Sequence, residues 1–161
     1  MCLYINPVDI YDKEAFNKDK EEFLKRLTKA GDRGIIVYKV YAPIEETTKY
    51  ITGTEHTSLY LRSYFRQNNK YIYYSHHTCT HIASHRESNL LTPSEKRLGE
   101  VHKGLHVYID YKHALELSKE SQIIKVYKCR VYKRNLVAVG DFQGKISAVF
   151  HRLVVYNKPV S

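Results

Sequence analysis

Between Lys103 and Gly140 the alternation of apolar and polar positions is at its clearest. Leu105, Val107 and Ile109 fall on one side of an extended chain and His106 and Tyr108 on the other, the two-residue period of a strand. Asp110 is placed to cap a following helix, whose Ala114, Leu115 and Leu117 form a short apolar face. The run Ile123 to Val131 is rich in β-branched residues and free of Gly and Pro, which predicts a second strand.

Upstream, Asp12 to Lys29 has helical periodicity, with Ala15, Phe16, Phe23, Leu24 and Leu27 on one face and charges on the other. A glycine-bounded turn at residues 30–34 leads into Ile35 to Ala42, apolar on both faces except at Lys39. A lysine in such a strand must reach an edge, a carboxylate or a ligand, because an unpaired buried ammonium is costly. Lys39 is therefore a candidate ligand contact, with a snorkelling rim lysine as the alternative.

Pro43 to Gly53 reads as a loop and Thr54 to Gln67 as a helix, on which Arg62 and Arg66 lie four residues apart, spaced to clamp an anion. Lys70 to His76 reads as an aromatic strand. Thr92-Pro93-Ser94-Glu95 combines a cap, a proline at the first helical position and a capping-box glutamate. Lys133-Arg134-Asn135 forms a basic turn before Leu136 to Val139, and Ile146 to Tyr156 reads as one long central strand. The sum is an α+β single domain over residues 1–161, with a helical segment at 1–30 packed on a core at 35–157. Its sheet is expected to be mixed but largely antiparallel, with five or six strands and two to four helices.

Charge adds a direction. The chain carries a net charge of +9, of which residues 104–161 supply +6 from ten basic and four acidic side chains, whereas residues 1–30 sum to zero. That asymmetry points to an anionic partner for the C-terminal half, a phosphorylated small molecule or nucleic acid; a basic surface kept for solubility is the alternative. Fifteen tyrosines and no tryptophan suit stacking on bases, although Lys, Ile and Asn are plentiful too and a compositional bias accounts for them equally. No apolar run is long enough to span a bilayer, and Met1 to Ile10 lacks a signal peptide's basic start and long apolar centre. A cytoplasmic protein without a membrane partner is expected, in the host cytoplasm if the chain is viral.

Candidate chemistry is sparse. His77, Cys79 and His81 bring imidazole and thiolate close together, the weak outline of a zinc site, but no Cys-x-x-Cys accompanies them. No glycine-rich phosphate loop occurs, so side chains would have to hold any nucleotide, and no cofactor is indicated.

Several short motifs carry a resemblance: the Met-Cys-Leu start, Val37-Tyr38-Lys39-Val40, Gly104-Leu105-His106-Val107-Tyr108 before an alanine-bearing helix, Val137-Ala138-Val139-Gly140 and Ala148-Val149-Phe150. In these the chain resembles a loosely defined family of small, uncharacterised phage and bacterial proteins, which implies an accessory, counter-defence or host-conflict role. More distantly, the strand bearing His106 and Tyr108 is similar to the strand beside the NAD pocket of ADP-ribosyltransferase folds. Those enzymes carry a glutamate or similar residue on a late strand, and Ile146 to Tyr156 contains no acid.

The expectation is a protein that binds, or binds and sequesters, a phosphorylated small molecule such as a nucleotide or NAD-derived signal. Lys39, Arg62, Arg66, His106, Tyr108, Lys125 and Arg130 are the expected contacts. An ADP-ribosyltransferase-like or nucleotide-hydrolysing enzyme, with His106 as acid–base group, is the second reading. Nucleic-acid binding through Lys125, Lys128, Arg130, Lys133 and Arg134 is the third. The sequence is compatible with an oligomer.

Overall fold

The computed structural model describes residues 3–7, 12–43, 56–58, 66–67, 70–71, 80–84, 86–119 and 125–160. In chain order the elements are β1 (Leu3–Tyr4), α1 (Lys13–Ala30), β2 (Ile35–Pro43), β3 (His56–Ser58), β4 (Arg66–Gln67), β5 (Lys70–Tyr71) and β6 (Thr80–Ser84). They continue with α2 (Pro93–Leu98), β7 (Glu100–Val101), β8 (Leu105–Tyr108), α3 (Tyr111–Ser118), β9 (Lys125–Val131), β10 (Leu136–Phe142), β11 (Lys145–Phe150) and β12 (Arg152–Pro159).

The architecture is α+β, with three α-helices among the described residues and a large sheet whose described pairings are all antiparallel. Strand order is β6-β12-β9-β2-β8-β11-β10-β1-β7, with β3 pairing the far end of β2. Eight of these strands have three or more residues, not the expected five or six, and the two-residue β1 and β7 bring the sheet to ten. Strands this short have no period to read, which is why the sequence undercounts them.

Two further expectations are corrected. The long strand predicted over Ile146 to Tyr156 is two strands, β11 and β12, separated at His151, whose N–H donates to the Asn135 carbonyl at 3.0 Å. β11 lies between β8 and β10 while β12 lies between β9 and β6, so the chain changes position in the sheet at this residue. Both strands are flanked on two sides, so both look central by composition. The helix predicted over Thr54 to Gln67 is extended at His56–Ser58 and at Arg66–Gln67. β3 pairs with β2 from Tyr41–Ser58 to Pro43–His56, an edge pairing that no helical pattern in the local sequence reveals. The rest of that segment lies outside the described residues, as does the Lys70 to His76 strand beyond Tyr71.

α1 begins where the Asp12 side chain accepts from the Ala15 N–H at 2.9 Å. It covers one sheet face with Phe23 and Leu27, both buried with Val37, Leu105, Val107, Tyr127, Cys129, Val131, Phe150 and Val155. Burying two such side chains stabilises by about 1.5–3 kcal/mol each. α3, capped by Asp110, packs Ala114 on the opposite face against Val40, Tyr108 and Val126, with Tyr38, Tyr111 and Leu117 at the margin. α2 has the full capping box foreseen at Thr92–Glu95 and stops at Gly99, which takes the left-handed conformation (φ 67°). No helix among the described residues is long and apolar enough to cross a membrane.

The sheet is nearly divided in its middle. β2 runs in register with β9 from Ile35–Val131 to Tyr41–Lys125, and β8 with β11 from Ser147–Tyr108 to Phe150–Leu105. β2 and β8 themselves meet in register at Tyr38–Tyr108 alone. Across this seam the Lys39 ammonium reaches the His106 carbonyl at 2.8 Å.

Candidate functional site

The seam gathers three of the expected contacts, but inside the protein. Lys39, His106 and Tyr108 are all buried. Desolvation lowers the Lys39 pKa to about 7, with the Cys129 thiol opposing the shift, while burial pushes that thiol up to about 12. The His106 ring lies between two carbonyls, Gly104 (Nδ1, 3.3 Å) and Val101 (Nε2, 3.2 Å). A neutral imidazole has one N–H, so it donates to one of them. These side chains serve the interior of the sheet and offer no open surface to a ligand.

The other expected residues are dispersed. Lys125 is half-buried opposite Tyr41. Arg130 donates to the Arg33 carbonyl (Nη1, 2.5 Å) and to the Tyr156 hydroxyl (Nε, 2.9 Å). Arg66 belongs to β4, which pairs with β5 in a separate two-stranded sheet. His81 sits on β6 opposite Val155. Arg62, His77 and Cys79 lie outside the described residues. Among the described residues no group of three or more His, Cys, Asp or Glu side chains could hold a metal ion.

Among the described residues, concavities open to a ligand include two of note. The larger, about 820 Å³, lies between Tyr4–Pro7, the end of α2 and the β10–β11 turn, with Lys96 and Arg97 on one side and Glu100 and Asp141 on the other. Burial raises the Asp141 pKa, but its Oδ2 is already bound by the Gly144 N–H at 3.2 Å.

The smaller cavity, about 480 Å³, has the more specific chemistry, because it opens where β2 departs from β8. α1 contributes Asp19, Glu22, Phe23 and Arg26, residues at helical spacing and so on one face. β2 contributes Ile36 and Tyr38, the β8–α3 connection Ile109, Asp110, Tyr111 and His113, and β11 Ile146. The Tyr38 and Tyr111 rings are tilted at 56° with centroids 5.1 Å apart, and the Tyr111 hydroxyl donates to the Val160 carbonyl at 3.3 Å. Asp110 spends one oxygen on the Lys112 N–H at 2.9 Å, which holds the start of α3 in place. His113 Nδ1 is buried and has no hydrogen-bond partner among the described residues.

The cavity thus offers an aromatic wall, carboxylates able to accept hydroxyl hydrogen bonds, one guanidinium and one imidazole. None of Tyr38, Tyr111, His113, Asp19, Glu22 or Arg26 stands out in the sequence. The available signal was Tyr38, which alternation places on the face opposite Lys39, together with the cap at Asp110 that anchors Tyr111 and His113. Comparison of the chain with protein-family models, with curated proteins and with solved structures finds no match.

Proposed function

We propose that the protein binds a nucleotide-derived small molecule with few phosphates in the cavity between α1, β2 and α3. The observation that carries this reading is the convergence of the Tyr38–Tyr111 pair, Arg26 and His113 on one concavity. Aromatic faces suit a base or pyridine ring, carboxylates suit ribose hydroxyls, and a single guanidinium suits a single phosphate. Asp19, Glu22 and Asp110 together outweigh Arg26, which disfavours a polyphosphate and favours a ligand with a cationic ring, such as the pyridinium of an NAD-derived molecule. In the phage or host-conflict setting that the resemblance implies, retention of such a ligand without turnover amounts to sequestration of a host signal.

Calorimetric titration with NAD, nicotinamide mononucleotide, AMP and ATP tests this. Micromolar binding of the first two, weaker binding of ATP than of AMP, and at least tenfold loss in Tyr111→Ala and His113→Phe are expected. Absence of binding at millimolar ligand, or binding indifferent to both substitutions, overturns the reading. A released nicotinamide or nucleoside product in the same samples would instead favour the enzymatic reading, with His113 rather than His106 as the accessible acid–base group.

A further inference from the structure

The face of the sheet beyond α3 has a composition that the cavity does not use. Along β9 and just past it, Lys128, Arg130 and Tyr132 alternate on the side opposite Tyr127, Cys129 and Val131, which are buried under α1. Register sets Lys128 beside Tyr38 and Arg130 between Ile36 and Val154, so β12 adds Arg152, Val154 and Tyr156 to the same face. α3 covers the Val126 end. Past it, Lys128 and Arg152 are exposed and neither makes an ion pair among the described residues.

Two of the cations on this surface are held in place. Arg130 is pinned by the Arg33 carbonyl and the Tyr156 hydroxyl, leaving Nη2 without a hydrogen bond among the described residues. Arg134 lies over the Tyr132 ring, 4.4 Å from its centroid, with about two thirds of its side chain exposed. The fully exposed Asp32 lies 3.8 Å from Arg134. Lys128 to Tyr132 spans about 13 Å at the rise of a strand, further than one phosphate reaches.

We infer that this open face of β9 and β12 binds single-stranded nucleic acid. Four cations spread along a flat, pleated surface track a chain of phosphates better than they enclose one small anion. The guanidinium plane of Arg134 and the Tyr156 ring give bases something to stack on without reading their sequence. An anionic lipid surface would also meet the charge, but the large apolar side chains exposed among the described residues, Tyr4, Leu90, Leu98 and Val160, are on neither β9 nor β12. The face borders the nucleotide cavity at Ile36 and Tyr38, but Lys128, Arg130, Arg134 and Arg152 do not line that cavity.

The test is fluorescence anisotropy with labelled twelve-nucleotide single strands of DNA and RNA, the matching duplexes, and phosphatidylserine vesicles, at 50 to 200 mM salt. Four phosphate contacts predict a single-strand log–log salt slope near −3, hence about 50-fold weaker binding across that range. Lys128→Glu with Arg152→Glu, both at exposed positions, should weaken binding at least tenfold and flatten the slope while leaving the melting temperature unchanged, and Arg152→Glu alone, on a strand that does not adjoin Tyr38, should leave the calorimetric response to nicotinamide mononucleotide unchanged. Arg134→Ser should weaken binding several-fold with a smaller change of slope. Salt-indifferent binding, equal or tighter binding of duplex, tighter binding to vesicles, or affinity unchanged in the double variant each overturns the proposal.

Discussion

Lys39 should make the protein more stable as the solution becomes alkaline. Its folded pKa is about 7 against 10.5 in its ordinary state, so between these values the unfolded chain holds a proton that the folded chain has released. Stability then rises with pH, is complete above the unfolded value, and is lost as pH falls through 7. Integrating the proton difference from pH 7 to pH 9 gives about 2 kcal/mol, and the whole window about 5 kcal/mol. The rise is soon opposed. Burial holds the Cys129 thiol and the Tyr127 hydroxyl protonated to about 12, whereas their unfolded counterparts ionise from pH 9 and 10. Those two groups lose stability as pH increases, so a maximum near pH 9 is expected. The perturbation is Lys39→Met, which keeps the length of the side chain and removes the ammonium. Urea unfolding followed by circular dichroism under reducing conditions should show the wild-type midpoint moving up by about 1 M between pH 7 and 9, for a slope of about 2 kcal/mol per M. The variant should show no such rise and should begin to weaken near pH 9. A flat wild-type midpoint, or the same rise in the variant, would refute a desolvated ammonium at this seam.

Other consequences follow from the packing and from the Arg86–Glu95 pair. Leu27→Ala removes a fully buried side chain from beneath α1 and should cost about 2–5 kcal/mol in the same unfolding assay, whereas Lys25→Ala on the exposed face should cost under about 0.5 kcal/mol. Glu95 accepts two hydrogen bonds from the Arg86 guanidinium, at 2.7 and 2.5 Å, which hold its carboxyl down at about 2 against the usual 4.5. Its contribution is therefore present above pH 4.5 and lost as pH falls towards 2. Glu95→Gln should flatten acid unfolding in that window and lower stability at pH 7, and an unchanged acid limb would count against the pair.

The parts of the fold that could be read from the sequence are those whose signals are local. The caps at Thr92 and Asp110 announce themselves within one or two turns and are present, and the apolar stripe read along α1 is buried at Phe23 and Leu27, although Ala15 at its start is exposed. The break at His151 left little trace because Ala148-Val149-Phe150 before it and Leu153-Val154-Val155 after Arg152 are apolar, and periodicity does not say which neighbour a strand takes. Lys39 was conspicuous as the one charge in an apolar strand, yet its partner is a backbone carbonyl sixty-seven positions away, which no side-chain pattern encodes. The cavity was hidden for a related reason. Its Tyr38, Tyr111 and Arg26 come from three segments whose meeting depends on where β2 separates from β8.

The strand order also sets a timetable for synthesis. β1, at residues 3–4, pairs with β7 and with β10 through Tyr4–Asp141, while β8 takes β11 and β9 takes β12. A ribosome that has delivered residues up to 135 has therefore exposed several strands still lacking a permanent neighbour, because β10, β11 and β12 all lie beyond that point. Long-range pairings of this kind form slowly and leave unpaired edges in the meantime. The nascent chain must be kept from its own kind until its last three strands arrive, so yield in a cell should depend on chaperone supply more than the stability of the finished fold suggests.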